Sequence, residues 1–406
     1  MIFKTFLTIL LVKAFGVNTK SIGIVLPNNT CLDNLLNVTI KSKIHLFLRE
    51  VLLDKLANIN KIIIRSPNWV GDVVMATPAF RCIRENFPDA RITIALKSYV
   101  QKLIEGAPWF DEVLLLDSTN QHNKGAQLFS LIKQIRSREY DLGFLFPNSF
   151  SSVLMFWLGG VKRRVGYKRD ARSCLLTDRV DRLYENGQFR PTYMGDYYLR
   201  LCTEIGCEVR SKELELFITE GCQRRAAEIM ENCNLNNGKP LILLNPGAAY
   251  GSSKCWTAEG FAQTADSISS QLDCNIAIVC APHEIKLAQD IERLAKSRLI
   301  NLANKVISLD VLKSLIKGCA LLITVDSGPR HIAVAFKKPV VTLMGPNDPR
   351  YTDTPAEIGQ VIRADVDCLA CQLKVCTKDH RCMTQIKPEK VAQLSLELLT
   401  KEKFRN

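Results

Sequence analysis

From Lys61 onward, apolar runs of four to six residues alternate with longer segments of helical period, and no other feature restricts the fold of this chain as much. A strand that is apolar on both faces must be covered on both faces, which a parallel sheet achieves with the crossover helices of its βαβ units. In the first half, Lys61 to Arg65, Arg91 to Leu96, Glu112 to Leu116 and Leu142 to Pro147 read as strands, with Val73 to Asn86 and Gln127 to Arg138 as helices between them. A second series repeats the pattern at Leu241 to Asn245, Asn275 to Cys280, Leu321 to Val325 and Val340 to Gly345. From Arg172 to Glu220 charged and polar residues crowd and the period is lost. At 406 residues the chain also exceeds the roughly 250 to 300 that one hydrophobic core supports. The expectation is an α/β protein of two Rossmann-like domains with parallel sheets facing a cleft: an extension over 1–58, a first domain over 59–216, a connection over 217–239 and a second domain over 240–406.

The 54 Lys and Arg against 41 Asp and Glu leave a formal charge of +13, which favours anionic partners. Nucleic acid is set aside, because no helix-turn-helix, zinc-finger or RNA-binding aromatic signature accompanies the charge. Fifteen cysteines, eleven of them scattered through apolar segments, suit a reducing, cytoplasmic setting. The other four, Cys368, Cys371, Cys376 and Cys382, fall within fifteen residues near the C-terminus, with His380 among them. Their spacing fits no zinc-finger pattern well and leaves two readings open, a structural zinc site or reduced thiols packed in a loop. Near the N-terminus, Phe6 to Val17 is mostly apolar but interrupted by Lys13, too short for the roughly 20 residues of a membrane span. It reads as an interfacial helix or as a packed extension with no membrane role.

Neither first strand is followed by G-x-G-x-x-G, and G-x-x-x-x-G-K-S/T is absent, which argues against a dinucleotide dehydrogenase and a P-loop NTPase. After the first strand comes Ser66-Pro67-Asn68-Trp69-Val70-Gly71-Asp72, placing Asp72 where a strand edge meets a helix, either as a cap or as a functional carboxylate. The second half repeats the arrangement with Asn245 to Trp256, where small residues let backbone approach a phosphate and Lys254 supplies a point charge or lies in a solvated loop. Asp326-Ser327-Gly328-Pro329-Arg330-His331 follows another strand and opens a helix, as a diphosphate seat would.

In order and spacing, the blocks Ser66 to Asp72, Phe146 to Phe150, Arg164 to Tyr167, Asn245 to Gly251, Asp326 to His331 and Gly345 to Thr352 resemble the ADP-heptose:lipopolysaccharide heptosyltransferases of glycosyltransferase family 9, type II most of all. The resemblance runs from about Lys61 to Leu399 and implies the GT-B architecture. It also implies an inverting, metal-independent transfer of heptose from ADP-heptose to an inner-core heptose of lipopolysaccharide, at the inner face of the cytoplasmic membrane. No cofactor is required for it. By motif matching, Asp72 would be the base, Lys254 would hold the diphosphate, Glu284 the ribose hydroxyls and Asp326 the donor sugar, while Ser327, Gly328 and His331 would hold phosphate. Arg164, Lys168, Arg169 and Arg172, in the basic stretch from Lys162 to Arg172, would meet the acidic acceptor or form a solvated loop. Two departures stand out. The family's basic residue and Trp-Pro after the lysine are replaced by Cys255-Trp256-Thr257, and Arg330 stands where an apolar residue is common. Arg330 would replace the missing charge if it faced the phosphates, or it would lie on the surface. The rival readings are another family 9 enzyme and a GT-B-like binding module without turnover.

Overall fold

The computed structural model describes residues 58–117, 124–185, 187–305 and 307–403, and Asn58–Asn406 is one compact unit. The apolar run from Phe6 to Val17 lies outside the described residues. The first six strands, β1 (Lys61–Arg65), β2 (Arg91–Leu96), β3 (Glu112–Leu115), β4 (Leu142–Leu145), β5 (Arg163–Tyr167) and β6 (Asp178–Val180), form one parallel sheet in the order β3-β2-β1-β4-β5-β6. A small antiparallel hairpin of β7 (Tyr184–Glu185) and β8 (Gln188–Phe189) follows. The second parallel sheet comprises β9 (Leu241–Asn245), β10 (Asn275–Ile278), β11 (Ile300–Asn301), β12 (Leu321–Val325), β13 (Val340–Leu343) and β14 (Gly359–Ile362), in the order β11-β10-β9-β12-β13-β14. Ile62, Ile63 and Ile64 of β1 and Ile242, Leu243 and Leu244 of β9 have no exposed surface, as strands covered on both faces require. Each such side chain contributes about 1.5 to 3 kcal/mol on burial.

In both sheets the order reverses beside the first strand, between β1 and β4 and between β9 and β12. Loops leaving the C-terminal ends of such neighbours diverge and open a crevice for ligand. The Ser66 to Asp72 block leaves β1, the Asn245 to Gly251 block leaves β9 and the Asp326 to His331 block leaves β12. The two crevices meet where helix α1 (Val70–Met75) packs against helix α5 (Gly328–Ala335). Contact there is close enough that a Cβ on Gly328 would sit 2.6 Å from Val70 Cγ1. A second join is made by Lys313, buried on helix α4 (Leu309–Gly318), whose ammonium donates to the carbonyls of Leu103 (3.2 Å) and Glu105 (3.0 Å) at the end of helix α2 (Ser98–Ile104). Those carbonyls have no partner within their own helix, and the lysine answers them from the other half.

The structure departs from the sequence reading in three places. The helix expected over Val73 to Asn86 is two helices, Val70–Met75 and Thr77–Asn86, because Pro78 lies in the first turn of the second and cannot donate to the first. The basic stretch from Lys162 is not a loop at its start: Arg163–Tyr167 is strand β5, whose alternation is hidden because Arg163 and Arg164 open it. Within the segment where the period was lost lies helix α3 (Met194–Thr203), burying Tyr197, Tyr198, Leu199, Leu201 and Cys202. The stretch 217–239 holds a helix, Glu220–Asn232, capped by Thr219.

Candidate active site

A cavity of about 930 Å³ opens between the C-terminal edges of the two sheets, with Asp72, Lys254, Glu284, Asp326, Ser327, Gly328 and His331 all on its wall. Asp72 comes from the first half, and the other six come from the segments that follow β9, β10 and β12 in the second.

Asp72 sits in the first turn of α1, but the N-cap is Trp69 and no side chain caps the helix. It is therefore not the capping residue. Part of its surface faces the cavity while protein crowds the rest, and burial pushes its pKa up to about 6, opposed by Tyr198 and Lys254. A helix start favours the ionised carboxylate, but desolvation is the larger effect and raises the pKa without protonating the group at neutral pH. The hydroxyl of Tyr198 on α3 donates to Asp72 Oδ1 at 3.1 Å. Nothing in the sequence marks that tyrosine, which lies 126 residues away in the stretch without period.

Opposite stands Lys254, at the end of a single 3₁₀ turn over Ser252–Lys254. Its ammonium donates to the carbonyl of Asp326 (2.9 Å), lies 3.4 Å from Asp326 Oδ2 and sits 5.0 Å from the centroid of the Tyr250 ring. With its side chain 11% exposed, it is held at the cavity wall and is not in a solvated loop. Burial would raise the pKa of Asp326, but Lys254 and Arg330 outweigh it and hold the carboxyl at about 2. Asn347 donates to Asp326 Oδ2. Arg330 neither faces the phosphate seat nor lies on the surface: it is fully buried behind Asp326.

Glu284 Oε2 accepts from the backbone of Ala281 (2.9 Å), and the carboxylate lies so close to Gly247 that a Cβ there would fall 1.9 Å from Glu284 Cδ. Gly247 is thus required for Glu284 to reach the cavity. Ser327 donates to Asn245 Oδ1 at 3.1 Å, tying the loops after β9 and β12 together. His331 is buried against Gly71, and burial, with Arg330 adding, lowers its pKa to about 3. It offers an N–H and no charge, and its Nδ1 is buried without a protein partner.

The four basic acceptor candidates are not on the cavity wall. Arg172 is fully buried and spends its guanidinium on the carbonyls of Tyr167 and Pro147 and on Asn148 Oδ1, so it is structural and has no face to offer a ligand. Arg164 donates to the carbonyls of Leu175, Val161 and Lys162. Lys168 and Arg169 are exposed and pair with Asp181 and Asp170. The C-terminal cysteines are free, and burial first, then the three others, pushes the Cys382 thiol up to about 11. All four are near enough to influence one another, although no three of their sulfurs lie within 4.8 Å of one another. Among the described residues the one group of three His, Cys, Asp or Glu ligand atoms all within 4.8 Å of one another is Glu105, Cys222 and Asp310. Lys102 and Arg225 pair with Asp310 there, which disfavours a cation. The cysteine loop braces the loop that carries Lys254: Tyr250 donates to the Gln372 carbonyl (2.8 Å), Ser253 to the Leu373 carbonyl (2.5 Å), and the His380 ring meets the Ser253 carbonyl at 2.8 Å.

The sequence profile of glycosyltransferase family 9 (heptosyltransferase) matches residues 128–381, well over half of the chain. The chain belongs to glycosyltransferase family 9. The family 9 enzyme is 29% identical over 347 residues to lipooligosaccharide heptosyltransferase 2 of Campylobacter jejuni, covering 84% of this chain and 98% of that one. It is 28% identical to lipopolysaccharide heptosyltransferase 2 of Escherichia coli, over 75% of this chain and 88% of that one. The solved structure of E. coli ADP-heptose lps heptosyltransferase II superposes with a TM-score of 0.69 at 24% identity, covering 84% of this chain and 99% of the other. The fold of this glycosyltransferase is GT-B. Among the described residues, no helix is long and apolar enough to cross a membrane.

Proposed function

We propose that this glycosyltransferase moves L-glycero-D-manno-heptose from ADP-heptose to an inner-core heptose of lipopolysaccharide, with inversion, in the cytoplasm at the inner face of the membrane. The observation that carries the reading is the opposition across one cavity of a half-desolvated carboxylate, Asp72, and a fixed cation, Lys254. The names of the relatives from C. jejuni and E. coli support the choice of sugar and acceptor.

The chemistry follows from the placement. As the acceptor oxygen attacks the anomeric carbon, its proton passes to Asp72, whose pKa near 6 leaves it ionised at neutral pH yet more basic than an exposed carboxylate. The bond from the anomeric carbon to the diphosphate oxygen breaks in the same step, and its electron pair leaves with ADP. Attack from the side opposite the leaving group inverts the centre. Lys254 and the N-terminal backbone of α5 lie where the negative charge grows, and a fixed cation in a partly dry site stabilises that charge without reorganisation. On this reading charge neutralisation by the protein suffices and no metal takes part in the transfer. Glu284 would receive the ribose hydroxyls.

Mass spectrometry of the product from ADP-heptose and defined acceptors tests the proposal. One heptose added only to acceptors that already carry the first heptose is the expected result. Addition to an acceptor lacking it would indicate a different family 9 specificity, and no ADP release in a single turnover would indicate a binding module.

A further inference from the structure

We propose that Arg330 is a positioning residue of the donor site, neutralising three carboxylates, two of them buried, so that Lys254 is free to take the leaving diphosphate. The inference rests on the reading above that Lys254 holds that diphosphate.

A guanidinium has five N–H donors, and here each has an acceptor. Nε donates to Glu357 Oε2 (3.0 Å), Nη1 to Asp326 Oδ1 (2.9 Å) and Thr352 Oγ1 (3.1 Å), and Nη2 to Asp353 Oδ1 (2.7 Å) and Glu357 Oε2 (2.6 Å). None is left for a ligand, so Arg330 touches no substrate. Its effect passes through its partners. Asp326 presents Oδ1 to Arg330 and Oδ2 to Asn347 and Lys254, so the two cations share one carboxylate. Thr352 and Asn347 are themselves on the cavity wall, so the same arginine ties the loop after β13 to the anchor of Lys254.

Without Arg330, three carboxylates would lie within reach of one another behind the place where a dianionic leaving group departs. Asp326 and Glu357 are almost wholly buried and would be left short of charge compensation. Asp326 would then draw the full attraction of Lys254, holding the ammonium back from the phosphates, or would take up a proton and release it from its fixed position. Either outcome weakens the lysine's service to the donor. An apolar residue at this position would leave Asp326 without this control, and Asp353 and Glu357 would have no buried cation to meet.

The test is a cycle of Lys254→Ala, Arg330→Met and the double variant, read by calorimetry of ADP binding and by kcat/KM for transfer. Because Arg330→Met could unfold the loop it ties, the same series is made with Glu357→Gln, which removes one stranded carboxylate. If Arg330 works through Lys254, each single variant weakens ADP binding by ~10-fold or more, and the double variant is within ~3-fold of Lys254→Ala alone. Arg330→Lys should recover part of the loss, because it restores the charge without the fork. ADP affinity of Arg330→Met like that of the parent, or losses that multiply in the double variant, would overturn the proposal. Lys254→Ala with unchanged ADP affinity and transfer would instead sink the donor reading itself.

Discussion

Removing one hydroxyl, in Tyr198→Phe, should move the pH dependence of this enzyme without lowering its ceiling. The hydroxyl donates to ionised Asp72 at 3.1 Å and therefore favours the charged form, so its loss must raise the pKa of the carboxyl. A hydrogen bond to a charged group is worth about 1.5 to 3 kcal/mol, and the lower figure suits a bond of this length. One pKa unit corresponds to about 1.4 kcal/mol, so the shift is about one unit upward. The acid limb of kcat/KM, set in the parent by a group whose pKa is about 6, should move to about 7. The variant is then about fivefold slower at pH 6 and less than twofold slower at pH 8, where both carboxylates are ionised. The assay is initial-rate release of ADP from pH 5 to 9 at subsaturating acceptor, with circular dichroism as a check on folding. The substitution keeps the aromatic ring that stacks on Phe146, so packing is preserved. An unmoved acid limb, or the same loss at every pH, would refute the assignment of Asp72 as the titrating base held by Tyr198.

Asp72→Asn should reduce turnover by about 10²- to 10⁴-fold with ADP affinity little changed, and near-parental transfer by the folded variant would place the base elsewhere. The same substitution should stabilise the protein at neutral pH. Because the folded pKa of Asp72 lies above its ordinary 3.8, ionising it costs stability as pH climbs from about 4 to about 6, by up to about 3 kcal/mol. Denaturation midpoints of parent and variant should diverge across that window and run parallel above it, and equal midpoints throughout would contradict the burial argument. Lys254→Ala should raise the donor KM and lower kcat together, a combined loss of about 2 to 4 kcal/mol in kcat/KM, whereas a change in KM alone would show no role in the transition state. Protein purified without chelator should hold zinc well below one per chain, since no three of the C-terminal sulfurs lie within 4.8 Å of one another; about one per chain by elemental analysis would show that metal draws them together. If Phe6 to Val17 is an interfacial helix, a chain starting at Asn58 should bind anionic vesicles less well than the full chain, and equal binding would leave the extension no membrane role.

Much of this protein can be read along the chain because its fold is local in origin. Runs such as Ile62 to Ile64 and Leu241 to Leu244 are apolar on both faces, so they had to be buried parallel strands, and the loops that leave them had to meet ligands at the sheet edge. That logic places Asp72, Lys254 and the Asp326 to His331 turn at ligand-binding sheet edges, the family resemblance adds Glu284, and the structure brings all of them to one cavity. What depends on contacts between distant segments was not available. Strand β5 begins with two arginines, so its short buried side is hidden by charge, and Arg172 looks like surface when only the packed fold shows the carbonyls waiting for it. Tyr198 reaches Asp72 across 126 residues, and how far the pKa of this carboxylate rises above its ordinary value depends on how much protein surrounds it. Arg330 is the clearest case. The sequence shows a cation beside a phosphate-binding turn, but its direction is set by Asp353 and Glu357, and these come close only once β13 and β14 lie side by side. The alternation of apolar residues determines which elements form and which edge binds ligand. The protonation states and directions of the charges at that edge depend on desolvation and on partners that only the tertiary structure brings together.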